Sequence, residues 1–188
     1  MASITSITLT APTPRAPLPL SVPPLYPSDV YDYLRCFKTT PTSTLHLLLP
    51  RTSVETTCHV LKSHRHSSSH SRELSVLKAL ASSPHQNLPT LILPPSPSPP
   101  SFIILPYYTP LTSRPTASLL LPIISAVSHL HSKLGYAHCD VKPDNVMVAG
   151  GEGGKPVLCD FSHSLPMVTR SEKVRGRESE TRNKSSDS

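Results

Sequence analysis

Residues 138–145 read His138-Cys139-Asp140-Val141-Lys142-Pro143-Asp144-Asn145, and Asp160-Phe161-Ser162 begins fifteen residues after Asn145. Between them lie short apolar segments at 146–148 and 157–159, separated by Gly150, Gly151, Gly153 and Gly154. That pattern predicts a β-hairpin, because glycine reaches the positive φ that a tight turn requires. The hairpin thus stands between a polar loop carrying a carboxylate, a lysine and an amide, and a second carboxylate.

Working outward, residues 116–132 predict a helix with Leu120, Ile123, Ile124, Val127 and Leu130 on one face. Pro122 fits such a helix only in its opening turn. The apolar run 102–105 predicts a strand, as do 45–49 and 58–61. Residues 71–81 predict a helix, with Leu74, Leu77 and Leu80 at helical spacing after a serine start. Seven prolines fall within 12–27 and seven more within 84–100. Proline lacks the amide donor, so these read as an N-terminal tail and an internal loop.

This succession resembles the eukaryotic protein kinases of serine/threonine type, whose catalytic loop reads H-x-D-x-K-P-x-N and is followed by D-F-G. Five fixed positions at about 5% each recur by chance about once in three million starts, so coincidence is a poor account of the match. The resemblance implies an α+β, protein-kinase-like fold. A small β-rich N-lobe with one helix would occupy 29–105, a hinge 106–110, and the beginning of a helical C-lobe 111–168, flanked by disordered tails at 1–28 and 169–188. It implies ATP-dependent phosphoryl transfer to protein serine or threonine, with ATP and Mg²⁺ as cofactors.

The roles are likewise those the resemblance implies. Asp140 would orient the substrate hydroxyl and Lys142 would sit beside the γ-phosphate. Asn145 and Asp160 would hold magnesium, a hard cation that prefers oxygen ligands. Lys62, ending the 58–61 strand, would contact the α- and β-phosphates, with Glu73 as its ion-pair partner. His85-Gln86-Asn87-Leu88 resembles the H-P-N-I element after that helix. Phe102 to Tyr108 would be the fifth strand running into the hinge, with Leu105 as gatekeeper and Tyr107 in the backbone stretch that meets adenine.

Three features depart from the pattern. Cys139 replaces the arginine that often pairs with a phosphorylated activation loop. Ser162 stands for the D-F-G glycine. The nucleotide-binding G-x-G-x-x-G loop is missing: the first glycine is Gly135, and 37–44 offers threonine, proline and serine instead. With 26 residues after Ser162 and no A-P-E element, the C-lobe reads as incomplete, which leaves apolar surface on 116–132 to meet a protein partner. The rival expectation is therefore a kinase-derived binding or scaffold protein without turnover.

Composition agrees with one partial domain diluted by unstructured sequence: 188 residues, 23 prolines and 37% hydrophobic residues, against the usual ~45–50%. The net charge of +6 is scattered along the chain, which points away from nucleic acid. Cys36, Cys58, Cys139 and Cys159 form no C-x-x-C pair, and no run approaches the ~18 apolar residues of a membrane span. The expectation is an intracellular protein, cytoplasmic or nuclear. Two other features are weighed. His59, His64, His66 and His70 have spacings that suit zinc or copper, but no Cys or carboxylate completes the set, and serines 67–69 predict a mobile loop. Prolines 94–100 have the composition of a polyproline recognition stretch or of a passive loop.

Overall fold

The structure, a computed structural model, describes residues 26–51, 57–92, 102–111, 117–151 and 153–167. Most of the two expected tails, and the prolines at 94–100, lie outside the described residues.

Four strands form an antiparallel sheet in chain order: β1 (Tyr31–Thr39), β2 (Ser43–Pro50), β3 (His59–His64) and β4 (Phe102–Pro106). Helix α1 (Ser67–Ser82) follows β3. β5 (Thr109–Pro110) leads toward α2 (Ala117–His129), and β6 (Tyr136–Ala137) pairs with the late β9 (Leu165–Pro166). Between β6 and β9 stands the expected hairpin, β7 (Val146–Ala149) with β8 (Lys155–Leu158), to which β5 adds a third strand. The result is a mixed α/β chain with a small antiparallel sheet and few helices among the described residues.

β4 shows why a continuous apolar run belongs here. Strand side chains alternate between faces, and both faces are covered. Ile103 and Leu105 join Val76, Leu77 and Leu80 of α1, Ile123 and Leu130, and Phe161 in one core. Phe102 and Ile104 meet Tyr31, Leu48 and Leu61 in a second. The first core joins the sheet to the hairpin, so it fixes the position of every polar group between them. Burying one such leucine is worth roughly 1.5–3 kcal/mol.

Three local expectations are corrected. Serines 67–69 are not a loop but the first turn of α1, where amides lack intrahelical partners anyway and serine's poor helical propensity costs little. Pro122 is not in the opening turn but the sixth residue of α2, where its ring crowds the preceding turn. The expected apolar face of this helix also divides. Ile123, Ala126 and Leu130 are buried, whereas Leu120 and Ile124 are 51% and 62% exposed and Leu121 is 70% exposed. The helix continues as a π-turn at Leu130–Leu134 and stops at Gly135, whose φ of 69° brings its N–H onto the Leu130 carbonyl. No helix of the described residues is long and apolar enough to cross a membrane.

Candidate functional site

A cavity of about 680 Å³ opens between the sheet and the β7–β8 hairpin, within the usual range of small-molecule sites. Val60, Leu105 and Met147 give it apolar walls, and Lys62, Glu73, Asp140, Lys142, Asn145 and Asp160 bring polar groups to it. Seven of the eight site residues expected from sequence thus line one cavity. The eighth, Tyr107, does not. Its N–H is engaged by the Cys58 carbonyl at 3.0 Å and its ring meets Phe37, while the neighbouring Tyr108 lines the cavity. Burial pushes the Tyr108 phenol up to about 12, so it remains a neutral hydroxyl.

β3 delivers Lys62 and α1 delivers Glu73, with Lys62 Nζ 2.8 Å from Glu73 Oε2. The same Nζ lies 2.8 Å from Asp160 Oδ1, 98 positions later in the chain. Burial alone would lower the Lys62 pKa, but the carboxylates of Glu73 and Asp160 outweigh it and raise it, so the ammonium is retained. Glu73 is 1% exposed, and burial raises its carboxyl against the opposing pull of Lys62 and the Phe161 N–H. One cation thus serves two carboxylates.

Asp160 has a backbone conformation uncommon for a side-chain-bearing residue, φ 69°, and Cys139 in the other loop has φ 63°. Such strain persists where surroundings over-determine it. At Asp160 the constraints are visible: Oδ1 receives Lys62 Nζ, the Ser162 hydroxyl at 2.7 Å and the Ser162 N–H at 3.3 Å. Although burial opposes ionisation, these donors hold the carboxyl well below the ordinary carboxylate range.

Across the cavity, Lys142 donates to Asp140 Oδ2 at 2.8 Å, and Asn145 Nδ2 donates to the Asp140 carbonyl and to Oδ2 at 2.8 and 2.9 Å. The Lys142 hydrogen bond is the main reason Asp140 lies below its ordinary pKa. His138, buried against Phe161, meets the Cys159 carbonyl at 3.1 Å and ties this loop to the residue before Asp160. Cys159 N–H bonds the Asn145 carbonyl at 2.8 Å. Asn87 reaches the same hairpin, donating to the Pro156 carbonyl at 2.7 Å and accepting from Leu158 N–H at 2.9 Å.

The turn between β1 and β2, Thr40 to Ser43, roofs one side of the cavity. Its amides are already used: Thr42 and Ser43 N–H bond Thr40 Oγ1 at 3.3 and 3.0 Å, and Thr40 N–H bonds the Ser43 carbonyl at 2.8 Å. They do not present an anion nest. The donor set elsewhere fits a hard cation, since the Asn145 amide and Asp160 carboxylate supply oxygen. Asp160 Oδ1 is crowded with donors, so Oδ2 is the oxygen that remains for a metal.

The histidines diverge. His59 contacts the Tyr31 hydroxyl at 3.0 Å, His64 faces Glu73, and His66 stands at the N-terminus of α1. No group of three His, Cys, Asp or Glu able to hold a metal occurs among the described residues. Sequence reasoning missed the contributions of His64, Ser162 and Tyr108. Ser162 carried a signal, a hydroxyl two residues from a carboxylate; His64 carried one in its place two residues after Lys62 on the same strand face.

No family model matches the chain. Short segments match curated protein kinases. The chain is 41% identical over 56 residues to serine/threonine-protein kinase dkf-1 of Caenorhabditis elegans, and equally so to that of Caenorhabditis briggsae. These matches cover 29% of this chain and 8% and 7% of the relatives. A probable myosin light chain kinase of Dictyostelium discoideum is 40% identical over 53 residues, 28% of this chain and 17% of the relative. The chain therefore spans less than a fifth of the relatives it matches, and the matches support a kinase-like relationship.

Proposed function

We propose that the cavity is a nucleotide pocket of protein-kinase type, in a partial protein-kinase fold, and that its family activity is ATP-dependent phosphoryl transfer to protein serine or threonine. The observation that carries this reading is Lys62 Nζ at 2.8 Å from both Glu73 and Asp160. Phosphoryl transfer depends on positioning and on charge placed against the phosphates, and that triad faces Asp140, Lys142 and Asn145 across one cavity. Lys62 would meet the α- and β-phosphates. Asn145 and Asp160 would hold Mg²⁺, which neutralises phosphate charge when bound. Asp140, ionised and oriented by Lys142 and Asn145, would accept a hydrogen bond from the attacking hydroxyl.

A second reading, a kinase-derived binding protein without turnover, is favoured by the Thr40–Ser43 turn, whose amides are spent within the turn. Weak nucleotide binding follows from it, since phosphate cradles are built from free backbone amides. Titration of the purified chain with a fluorescent ATP analogue tests the pocket. Saturable binding that is lost in both Lys62→Ala and Asp160→Ala supports it, and binding indifferent to both removes it. Radiolabel transfer to a protein substrate, lost in Asp140→Asn, then separates enzyme from binding protein.

A further inference from the structure

Directly paired residues of antiparallel strands lie on the same face of a sheet. Lys38 of β1 pairs with Leu45 of β2, and Leu45 pairs with Lys62 of β3, so the three form one cross-strand row. Each of them lines the cavity. At one strand spacing per step, the Lys38 and Lys62 backbones stand roughly 10 Å apart, with Leu45 between them. Lys38 owes its face to the second register shift of β1, where Cys36 pairs with His46 and Lys38 with the very next residue of β2. In unbroken register Phe37 would oppose Leu45, and Lys38 would face away from the cavity.

Carboxylates already claim the two other lysines of the cavity: Glu73 and Asp160 hold Lys62, and Asp140 holds Lys142. Lys38 is exposed and has no ion pair among the described residues. The polar groups of the adjoining turn are engaged with one another. Thr40 Oγ1 contacts Thr42 Oγ1 at 3.3 Å and Ser43 Oγ at 3.1 Å, and the Thr42 and Ser43 amides bond Thr40 Oγ1. A polyanion entering beneath this roof therefore meets one ammonium that need not first leave a carboxylate.

We propose that Lys38 is a phosphate-binding residue of the cavity, supplying from a side chain the positive charge that the roof amides do not offer. With Lys62 it brackets a ligand that carries two or more phosphates in a row. The nucleotide half of the test rests on the nucleotide-pocket reading; the inorganic half does not. A monophosphate held at Lys62 gains less from Lys38, because attraction falls with distance and is screened at an exposed site.

The experiment compares the unaltered full chain with Lys38→Met, Lys38→Arg and a charge control, Lys78→Met, which removes the same charge from an exposed position of α1 outside the cavity. Affinities for inorganic tripolyphosphate, a fluorescent ATP analogue and a fluorescent adenosine analogue are measured with Mg²⁺ at low and at high salt. At low salt Lys38→Met should weaken both phosphate probes about three- to fivefold, the scale of one exposed charge pair, and leave the adenosine analogue unchanged. The deficit should shrink at high salt. Lys38→Arg and Lys78→Met should bind like the unaltered chain. Equal losses in Lys38→Met and Lys78→Met overturn the proposal, as does loss of the adenosine analogue together with the ATP analogue. Phosphate-probe affinities that Lys38→Met leaves unchanged, or no binding of either probe by the unaltered chain, overturn it too. Tripolyphosphate binding that depends on Lys38, in a chain that binds neither nucleotide analogue, upholds Lys38 and removes the nucleotide reading instead.

Discussion

The Ser162 hydroxyl donates to Asp160 Oδ1 at 2.7 Å, on the same oxygen that Lys62 reaches at 2.8 Å. A glycine at this position would supply the backbone N–H alone. The serine therefore adds a fixed donor that pins one oxygen of the carboxylate and presents the other to the cavity.

Ser162→Ala should lower stability by about 1 kcal/mol, below the ~1.5–3 kcal/mol usual for a hydrogen bond to a charged group, because the Asp160 side chain is 37% exposed. It should also move the Asp160 carboxyl upward toward its ordinary range. Urea denaturation and carboxyl NMR check the two effects, and an unmoved Asp160 titration would show that the hydroxyl contact is incidental.

Acid should destabilise the chain in a defined window. The unfolded chain protonates His64 near 6.5, whereas the folded chain does so near pH 4 because of burial first and Lys62 second. Between those values the unfolded state binds more protons, so stability falls as pH falls, by on the order of 2–3 kcal/mol, and this loss levels off below pH 4. Burial lowers His138 and His46 as well, and they act in the same direction. Asp160 acts in a separate window: its depressed pKa contributes stability above its ordinary 3.8 that disappears at lower pH. Unfolding midpoints measured from pH 7 to pH 3 should be less steep between 6.5 and 4 in His64→Gln, and an identical slope would assign the window to other groups.

Pro122→Ala should stabilise the chain. Proline within a helix costs about 3 kcal/mol through its missing amide and its ring, and part of that cost, about 1 kcal/mol or more, should be recovered. Thermal unfolding reads this as a higher midpoint. A lower one would mean that Pro122 sets the entry geometry of α2.

Freeing the β1–β2 turn should tighten nucleotide binding. In a Thr40→Gly, Thr42→Gly variant, the N–H groups of residues 42 and 43 lose Thr40 Oγ1 as their acceptor. Affinity for the ATP analogue should rise severalfold, and unchanged affinity would show that the amides do not limit binding.

Much of the architecture was legible because the pattern and the packing agree. The uninterrupted apolar run of β4 marks a strand covered on both faces, and the glycines at 150–154 mark the hairpin. The Lys62 and Glu73 juxtaposition was legible only through the resemblance, since no spacing rule brings a strand residue to a helix residue eleven positions later. β1 was not legible. Its pairing with β2 shifts between Tyr33 and Arg35 and again between Cys36 and Lys38, which breaks the period-two alternation that announces a strand. The division of α2 was hidden for another reason: periodicity tells which residues share a face, but not how wide a stripe the neighbours cover. Tyr107 was named for its backbone, and it is the ring of its neighbour Tyr108 that lines the cavity; both follow the end of β4 at Pro106, where strand alternation no longer says which tyrosine turns inward.

The irregular pairing of β1 has a consequence for the chain in company. β1 is an outer strand of the four-stranded sheet, and a straight outer strand offers its unused amides and carbonyls to any passing chain. Two register shifts break the regularity of this edge, and Arg35 and Lys38 place positive charge along it. The opposite edge, β4, is capped in another way, by Ile92 N–H on the Ile104 carbonyl at 3.0 Å. Both margins of the sheet are thereby guarded against strand-to-strand aggregation.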